Sequence, residues 1–137
     1  MGKFTHNLDA KNRLFIPAKH REQLGESFVI TRNIDKCLSG FSMEEWERYT
    51  DKLEQLPSTQ AREIARFIYS GAAEVQPDGQ GRVLIPVDLL AYAGVQKSAV
   101  VVGNGRHAEI WAEEIWNERN SEDKTDSLRE LMISLGF

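Results

Sequence analysis

The chain writes one short pattern twice, and that repetition constrains its fold more than any other feature. Residues 8–17 read LDAKNRLFIP and residues 77–86 read PDGQGRVLIP, so an aspartate, three residues, an arginine, three apolar residues and a proline recur sixty-nine positions apart. The offset holds at Gly25 against Gly94 and becomes seventy for Phe41 against Trp111 and Trp46 against Trp116. A register kept over more than thirty residues marks an internal duplication. Halves of about seventy residues bury too little surface to stand alone, so the pattern predicts one joint barrel or sandwich with approximate two-fold symmetry. Its 137 residues suit one such domain. The expected division is a single duplicated domain over 1–119, with repeat one at about 3–56, a linking helix at about 58–71 and repeat two at about 72–119. A charged linker and a short amphipathic helix would fill 120–137.

Local periodicity supplies the elements of each repeat. Phe4, His6 and Leu8 alternate with Lys3, Thr5 and Asn7, which predicts a strand. Asp9-Ala10-Lys11-Asn12 predicts a turn, because aspartate bonds its own downstream backbone and asparagine tolerates positive φ. Arg13 to Ile16 leaves as a second strand with Leu14 and Ile16 on one face, and Pro17 opens a short helix, Ala18 to Leu24, closed by Gly25. Strands at Phe28–Thr31 and Cys37–Phe41 follow. Ser42 with Glu45 then forms a capping box for a helix carrying Met43, Trp46, Thr50 and Leu53 until Pro57. Ser58 or Thr59 is expected to cap a helix over about 60–70 whose stripe is Ala61, Ile64, Ala65 and Ile68. The pattern restarts at Ala73, turns at Asp78–Gly81 and returns at Arg82–Ile85. It opens a helix at Pro86, closes it at Gly94, and matches Val100–Val102 to Phe28–Ile30. Asn120–Lys124 reads as a linker before a final helix striped with Leu128, Leu131, Met132 and Leu135, which needs a partner surface in its own domain or in another subunit.

Composition excludes several classes. No apolar run reaches the roughly 18–20 residues of a membrane helix and the N-terminus lacks a signal-peptide core, so a cytoplasmic protein is expected. Cys37, the one cysteine, rules out an internal disulfide and a cysteine-rich zinc site, and buried packing is its expected role. His6, His20 and His107 lack metal-motif spacing and are expected to be exposed or half-buried. The net charge of -4 argues against nucleic acid taken alone, yet residues 1–36 hold seven Lys or Arg against four Asp or Glu, a net +3. Residues 112–137 hold three against seven, a net -4, so the gradient leaves room for a local basic patch on an acidic chain.

Four readings of the repeated Asp and Arg stand at this level. Asp9 and Asp78 could brace their turns while Arg13 and Arg82 pair with nearby carboxylates. The aspartates could share a proton as a catalytic dyad, but each precedes an arginine and no hydroxyl residue accompanies them. A calcium loop would need more oxygen ligands than Asp78-Gly79-Gln80-Gly81 carries. Finally, a hairpin turn could present Lys11, Asn12 and Arg13, or Gln80, Gly81 and Arg82, to DNA, with arginine reading guanine, asparagine adenine and lysine phosphate.

The motifs DAKNRLFIPAKHR, TRNIDKC, EEWERY, SGAAEVQPDGQGRVLIP and EIWAEEIWNE, in that order, resemble the bacterial MraZ family along essentially the whole chain. That resemblance implies a mixed α+β fold: a pseudo-two-fold, duplicated, AbrB- and MazE-type swapped-hairpin barrel with flanking helices. It implies a transcriptional regulator, not an enzyme, without cofactor or metal. Its partners would be double-stranded DNA, at direct repeats in the promoter of its own division and cell-wall gene cluster, and itself, as a ring-shaped homo-oligomer at the nucleoid. Neither a membrane nor a small-molecule substrate is implied. The motif positions carried over are Asp9 and Asp78 as turn residues and Lys11, Asn12, Arg13, Gln80, Gly81 and Arg82 as DNA-binding residues, with Lys3 on the leading strand counted among them. Family members usually carry glycine where this chain has Asn12, and asparagine is the best non-glycine substitute for a left-handed backbone. Lys11 makes the first turn the cationic one, so it is expected to dominate contact with DNA. The alternative from a different class is an antitoxin-type protein-binding module using the same barrel, with the C-terminal stripe as the surface that would meet a partner.

Overall fold

The computed structural model describes all residues 1–137. The first half runs β1 (Lys3–Asn7), β2 (Arg13–Phe15), α1 (Ala18–Leu24), β3 (Phe28–Arg32), β4 (Leu38–Ser42) and α2 (Met43–Asp51), which tightens into a 3-10 turn at Lys52–Gln55. α3 (Ser58–Ser70) crosses to the second half, β5 (Ala73–Val75), β6 (Arg82–Leu84), α4 (Val87–Ala93), β7 (Ser98–Asn104), β8 (His107–Ala112) and α5 (Glu113–Arg119), and α6 (Glu122–Ser134) ends the chain. Helix starts follow local chemistry. Pro17, Pro57 and Pro86 stand at the N-cap positions of α1, α3 and α4, where a missing N–H costs nothing. The Ser42 hydroxyl accepts from the Glu45 N–H at 3.2 Å and caps α2. Ser58 and Thr59 do not cap α3, because Pro57 holds that position and the helix begins at Ser58 itself.

The halves exchange strands. A six-stranded antiparallel sheet runs in the order β1-β7-β8-β4-β3-β5, so the first strand of each half pairs with the third strand of the other: β1 with β7, Lys3 opposite Val102, and β5 with β3, Val75 opposite Phe28. A separate two-stranded ribbon joins β2 to β6 with Arg13 opposite Leu84, Leu14 opposite Val83 and Phe15 opposite Arg82. Advancing the first pair by sixty-nine residues generates the third, so the pseudo-two-fold axis passes through the Leu14–Val83 pair. The large sheet is open, ending at β1 and β5, and no closed barrel forms; the architecture is mixed α+β with six α-helices.

The registers also correct the strand match. Val29 faces Phe41 and Val100 faces Trp111, which equates Phe28 with Ala99 rather than with Val100. The cause is the loop after each short helix, three residues from Gly25 to Phe28 but five from Gly94 to Ala99.

One core serves both halves. Leu14, Ile16, Leu24, Phe28, Ile30 and Leu38 pack with Val83, Ile85, Leu89, Leu90, Val101 and Ile110 in a single apolar cluster. Each such side chain contributes about 1.5–3 kcal/mol by leaving water, before its ordering cost. Cys37 is buried beside Val100 and Trp111, and burial pushes its thiol up to about 12. His20, expected near the surface, is instead buried next to Leu24 on the inner face of α1, and burial holds its imidazole below the ordinary value. β1 alternates as predicted but buries neither face; Phe4 and His6 pack with Phe15 in an aromatic cluster. The expected linker at 120–124 shrinks to Asn120 and Ser121, because Glu122 and Asp123 lie in the first turn of α6, where their charge suits the helix dipole. No residue of α6 is buried, and Leu128, Leu131, Met132 and Leu135 are all exposed.

Candidate nucleic-acid interface

Both Asp-x-x-x-Arg turns adopt one geometry. Asp9 Oδ1 accepts the N–H groups of Lys11 and Arg13, each at 2.9 Å, and its Oδ2 accepts Arg13 Nε at 2.7 Å. Asp78 Oδ1 likewise accepts from Gln80 and Arg82 at 2.9 Å, with Oδ2 on Arg82 Nε at 3.0 Å. A carboxylate two and four residues ahead of its donors has the right reach for this loop, and its second oxygen is left free for the arginine. The loop closes only if the residue before arginine turns left-handed: Asn12 has φ +61° and Gly81 has φ +80°. Asparagine thus fills the glycine role, as its chemistry predicts.

Backbone bonds lock the turns to each other's strands. Asn12 O accepts from Ile85 N at 3.1 Å, and Gly81 O accepts from Ile16 N at 2.9 Å. The turns therefore lie side by side, and their charges interleave: Arg13 Nη1 is 3.9 Å from Asp78 Oδ2, and Arg82 Nη1 is 3.7 Å from Asp9 Oδ2. Four side chains from two turns make one ring of alternating charge across the pseudo-axis.

This ring matches the first of the four readings and is compatible with the last. The aspartates brace their turns and the arginines pair with carboxylates. Asp9 is held below the usual carboxyl value chiefly by the Arg13 N–H, against partial burial, with help from the Arg13 guanidinium and the Lys11 N–H. Asp78 is lowered in the same way, first by the Arg82 N–H and against burial, then by the Gln80 N–H and the Arg82 guanidinium. Each carboxylate accepts two backbone N–H groups and its own arginine's guanidinium, and guanidiniums bridge the two, an arrangement that argues against a shared-proton dyad. Each arginine uses Nε and Nη1 on aspartate; Nη2 has no partner within the chain, and both side chains remain between a quarter and a third exposed. A guanidinium carries five N–H groups, so each arginine keeps N–H groups that no atom of the chain accepts.

The other candidate residues fall unevenly around this ring. Lys11 and Gln80 are exposed at equivalent positions on the two turns. Gly81 is buried, with Arg21 and Phe15 so close that a Cβ would lie 2.9 Å from Arg21 Cζ. Lys3 is exposed at the far end of β1, six extended residues or roughly 20 Å from Asp9, and is not brought to the turns. Two residues that spacing did not single out are brought there instead. Leu8 N donates to Lys97 O at 2.8 Å, which sets Lys97 beside the first turn, and Glu26 lines a groove of about 650 Å³ with Pro77 and Asp78 of the second. The sequence signal for both was their place two residues ahead of the equivalent strand positions Ala99 and Phe28.

Comparison with known proteins agrees with this duplicated geometry. The sequence profile of the family described as "MraZ protein, putative antitoxin-like" matches twice, over residues 1–66 and again over 68–132. A protein of Ligilactobacillus salivarius (strain UCC118) named "Transcriptional regulator MraZ" is 47% identical over 137 residues, covering 97% of this chain and 96% of its own length. With that profile spanning both halves and that identity spanning nearly the full length, the chain belongs to the MraZ family.

Proposed function

We propose that this protein is a sequence-specific DNA-binding transcriptional regulator, not an enzyme, and that the paired turns are its DNA-contacting surface. The observation that carries the reading is the juxtaposition of both motifs in one partly exposed cluster with unpaired donors, Lys11 and the Nη2 groups of Arg13 and Arg82. The aspartates fix those guanidiniums in place, and a preorganised donor loses less freedom on meeting a phosphate or a base edge. Asn12 and Gln80 supply planar amides next to them, Gly81 supplies the turn, and Lys3 adds a distant cation on the same chain. The name carried by the 47% identical relative supports the same reading.

The strand exchange between halves supports assigning the fold to the AbrB- and MazE-type swapped-hairpin class, with residues 1–119 as one duplicated domain and 120–137 as an appendage. A subunit with net charge -4 binds DNA weakly by itself. A ring-shaped homo-oligomer that sets several turns against direct repeats in the promoter of its own division and cell-wall gene cluster overcomes this through avidity. No helix is long and apolar enough to cross a membrane. The proposed setting is the cytoplasm, at the nucleoid.

Binding to duplex carrying the promoter repeats is compared with binding to scrambled duplex across a salt series, with particle mass measured with and without DNA. Tight, repeat-dependent and steeply salt-sensitive binding by an oligomer is expected. Equal affinity for both duplexes, or indifference to salt, would sink the proposal. A second reading, an antitoxin-type module, draws on the exposed stripe Leu128, Leu131, Met132 and Leu135 on α6. A stoichiometric protein partner lost on deleting residues 121–137, with no DNA binding, would favour it.

A further inference from the structure

The strand exchange that joins the halves also decides which side chains flank each turn, and the flanks differ in charge. Asn7 pairs with Ser98, and the ladder continues one step to Leu8 and Lys97 through the 2.8 Å bond. On the other side the ladder ends with Val75 opposite Phe28, and extending its register two steps sets Pro77 against Glu26. Proline has no N–H to continue the ladder, but Glu26, Pro77 and Asp78 line one groove together with Arg21 and Glu22 of α1. Pseudo-symmetry equates Lys97 with Glu26, Lys11 with Gln80, Ala91 with Glu22 and Leu90 with Arg21. The first flank thus carries Lys11 and Lys97, formally +2, and the second carries Glu22 and Glu26 against Arg21, formally -1: three charges of difference on one backbone geometry. Lys11 and Lys97 are exposed, and neither has an ion-pair or side-chain hydrogen-bond partner in the chain. Arg21 is restrained, with its Nε on Ile16 O at 2.8 Å.

We propose that Lys97, contributed by the second repeat, is a phosphate-contacting residue that completes the DNA surface of the first turn, and that Glu26 at the equivalent position closes the second flank to the duplex. Each subunit then meets the DNA backbone from one shoulder only. This rests on the DNA-binding reading above and adds to it a residue and a direction. The attraction between exposed charges decays over about 8 Å at physiological salt, so the side chains nearest the duplex dominate its contact with the phosphates. A duplex lying on the second flank would meet both carboxylates directly.

The test uses the full-length protein, a labelled duplex taken from upstream of its own gene and a scrambled duplex of equal length, with affinity measured over a salt series. Lys97→Ala is expected to weaken binding to both duplexes by a similar factor, as loss of a phosphate contact does, and to flatten the slope of log affinity against log salt by about 0.9 per contact removed. Lys97→Arg should retain the slope, and Glu26→Lys should steepen it. Both positions are exposed, so unchanged circular dichroism and unfolding midpoints are expected for every variant. If Lys11→Ala flattens the slope while Lys97→Ala leaves it at the wild-type value, the assignment of Lys97 is overturned and the DNA-binding reading stands. If Glu26→Lys leaves the slope unchanged, the role of Glu26 in closing the second flank is overturned. Wild-type protein that binds neither duplex overturns both this inference and the reading it rests on.

Discussion

Replacing Gly81 by alanine should destabilise the protein by about 2–4 kcal/mol, far more than Asn12→Gly at the equivalent position of the first turn. Two costs combine. At φ +80° an L-residue sits in the left-handed region, which costs roughly 1–2 kcal/mol relative to glycine. The new Cβ would also stand 2.9 Å from Arg21 Cζ, 3.0 Å from Arg21 Nε and 3.1 Å from Phe15 Cε1, so a neighbour must move. Arg21 is not free to do so, because its Nε holds the Ile16 carbonyl at 2.8 Å, and giving up a hydrogen bond to a charged donor costs about 1–2 kcal/mol at a partly exposed site. Asn12→Gly, at φ +61°, trades relief of backbone strain against the entropy of glycine and should stay within about 1 kcal/mol of wild type. The assay is urea unfolding at one fixed protein concentration, since self-association would otherwise shift the midpoint. A Gly81→Ala variant within about 0.5 kcal/mol of wild type would show that neither the backbone conformation nor the Arg21 contact constrains this turn.

Two further outcomes are expected. Asp9 and Asp78 have folded pKa values depressed below the ordinary 3.8, so their stabilisation is complete above that value and is lost as pH falls through the lower folded one. Urea midpoints measured from neutral to strongly acidic pH should fall below about pH 4 in wild type, and the Asp9→Asn, Asp78→Asn double variant should flatten that limb; identical limbs would refute the role given to the ring. Leu14, fully buried at the pseudo-axis, should lose about 2–5 kcal/mol on change to alanine, whereas Leu84, 61% exposed in the same ribbon, should lose less than about 1 kcal/mol; equal losses by chemical denaturation would contradict the placement of the core.

What the sequence made legible was local. Asp9 reaches the N–H groups two and four residues ahead, so the turn is encoded within five positions, and the same holds at Asp78. The Pro17 and Pro86 helix starts and the Ser42 cap are equally short-range. Pairings between distant segments were not legible. Nothing near Lys3 announces Val102 as its partner, and nothing near Arg13 announces Asp78. The match of Val100 to Phe28 slipped by one because two extra residues after Gly94 shift the strand, and a loop length alone does not say where pairing starts. Lys97 went unnoticed for the same reason: its neighbour across the ladder is Leu8, eighty-nine residues away in the chain.

The exchange of first strands between the halves has a kinetic cost. Lys3 finds its partner only at Val102, ninety-nine residues later, so β1 leaves the ribosome well before β7 and waits for that intervening stretch to follow. Loops of that length close slowly, and an unpaired strand is open meanwhile to pairing with another chain. A nascent copy that receives β1 from a neighbour would satisfy the same ladder, which makes crowding on one messenger the condition under which this fold is most exposed to misassembly.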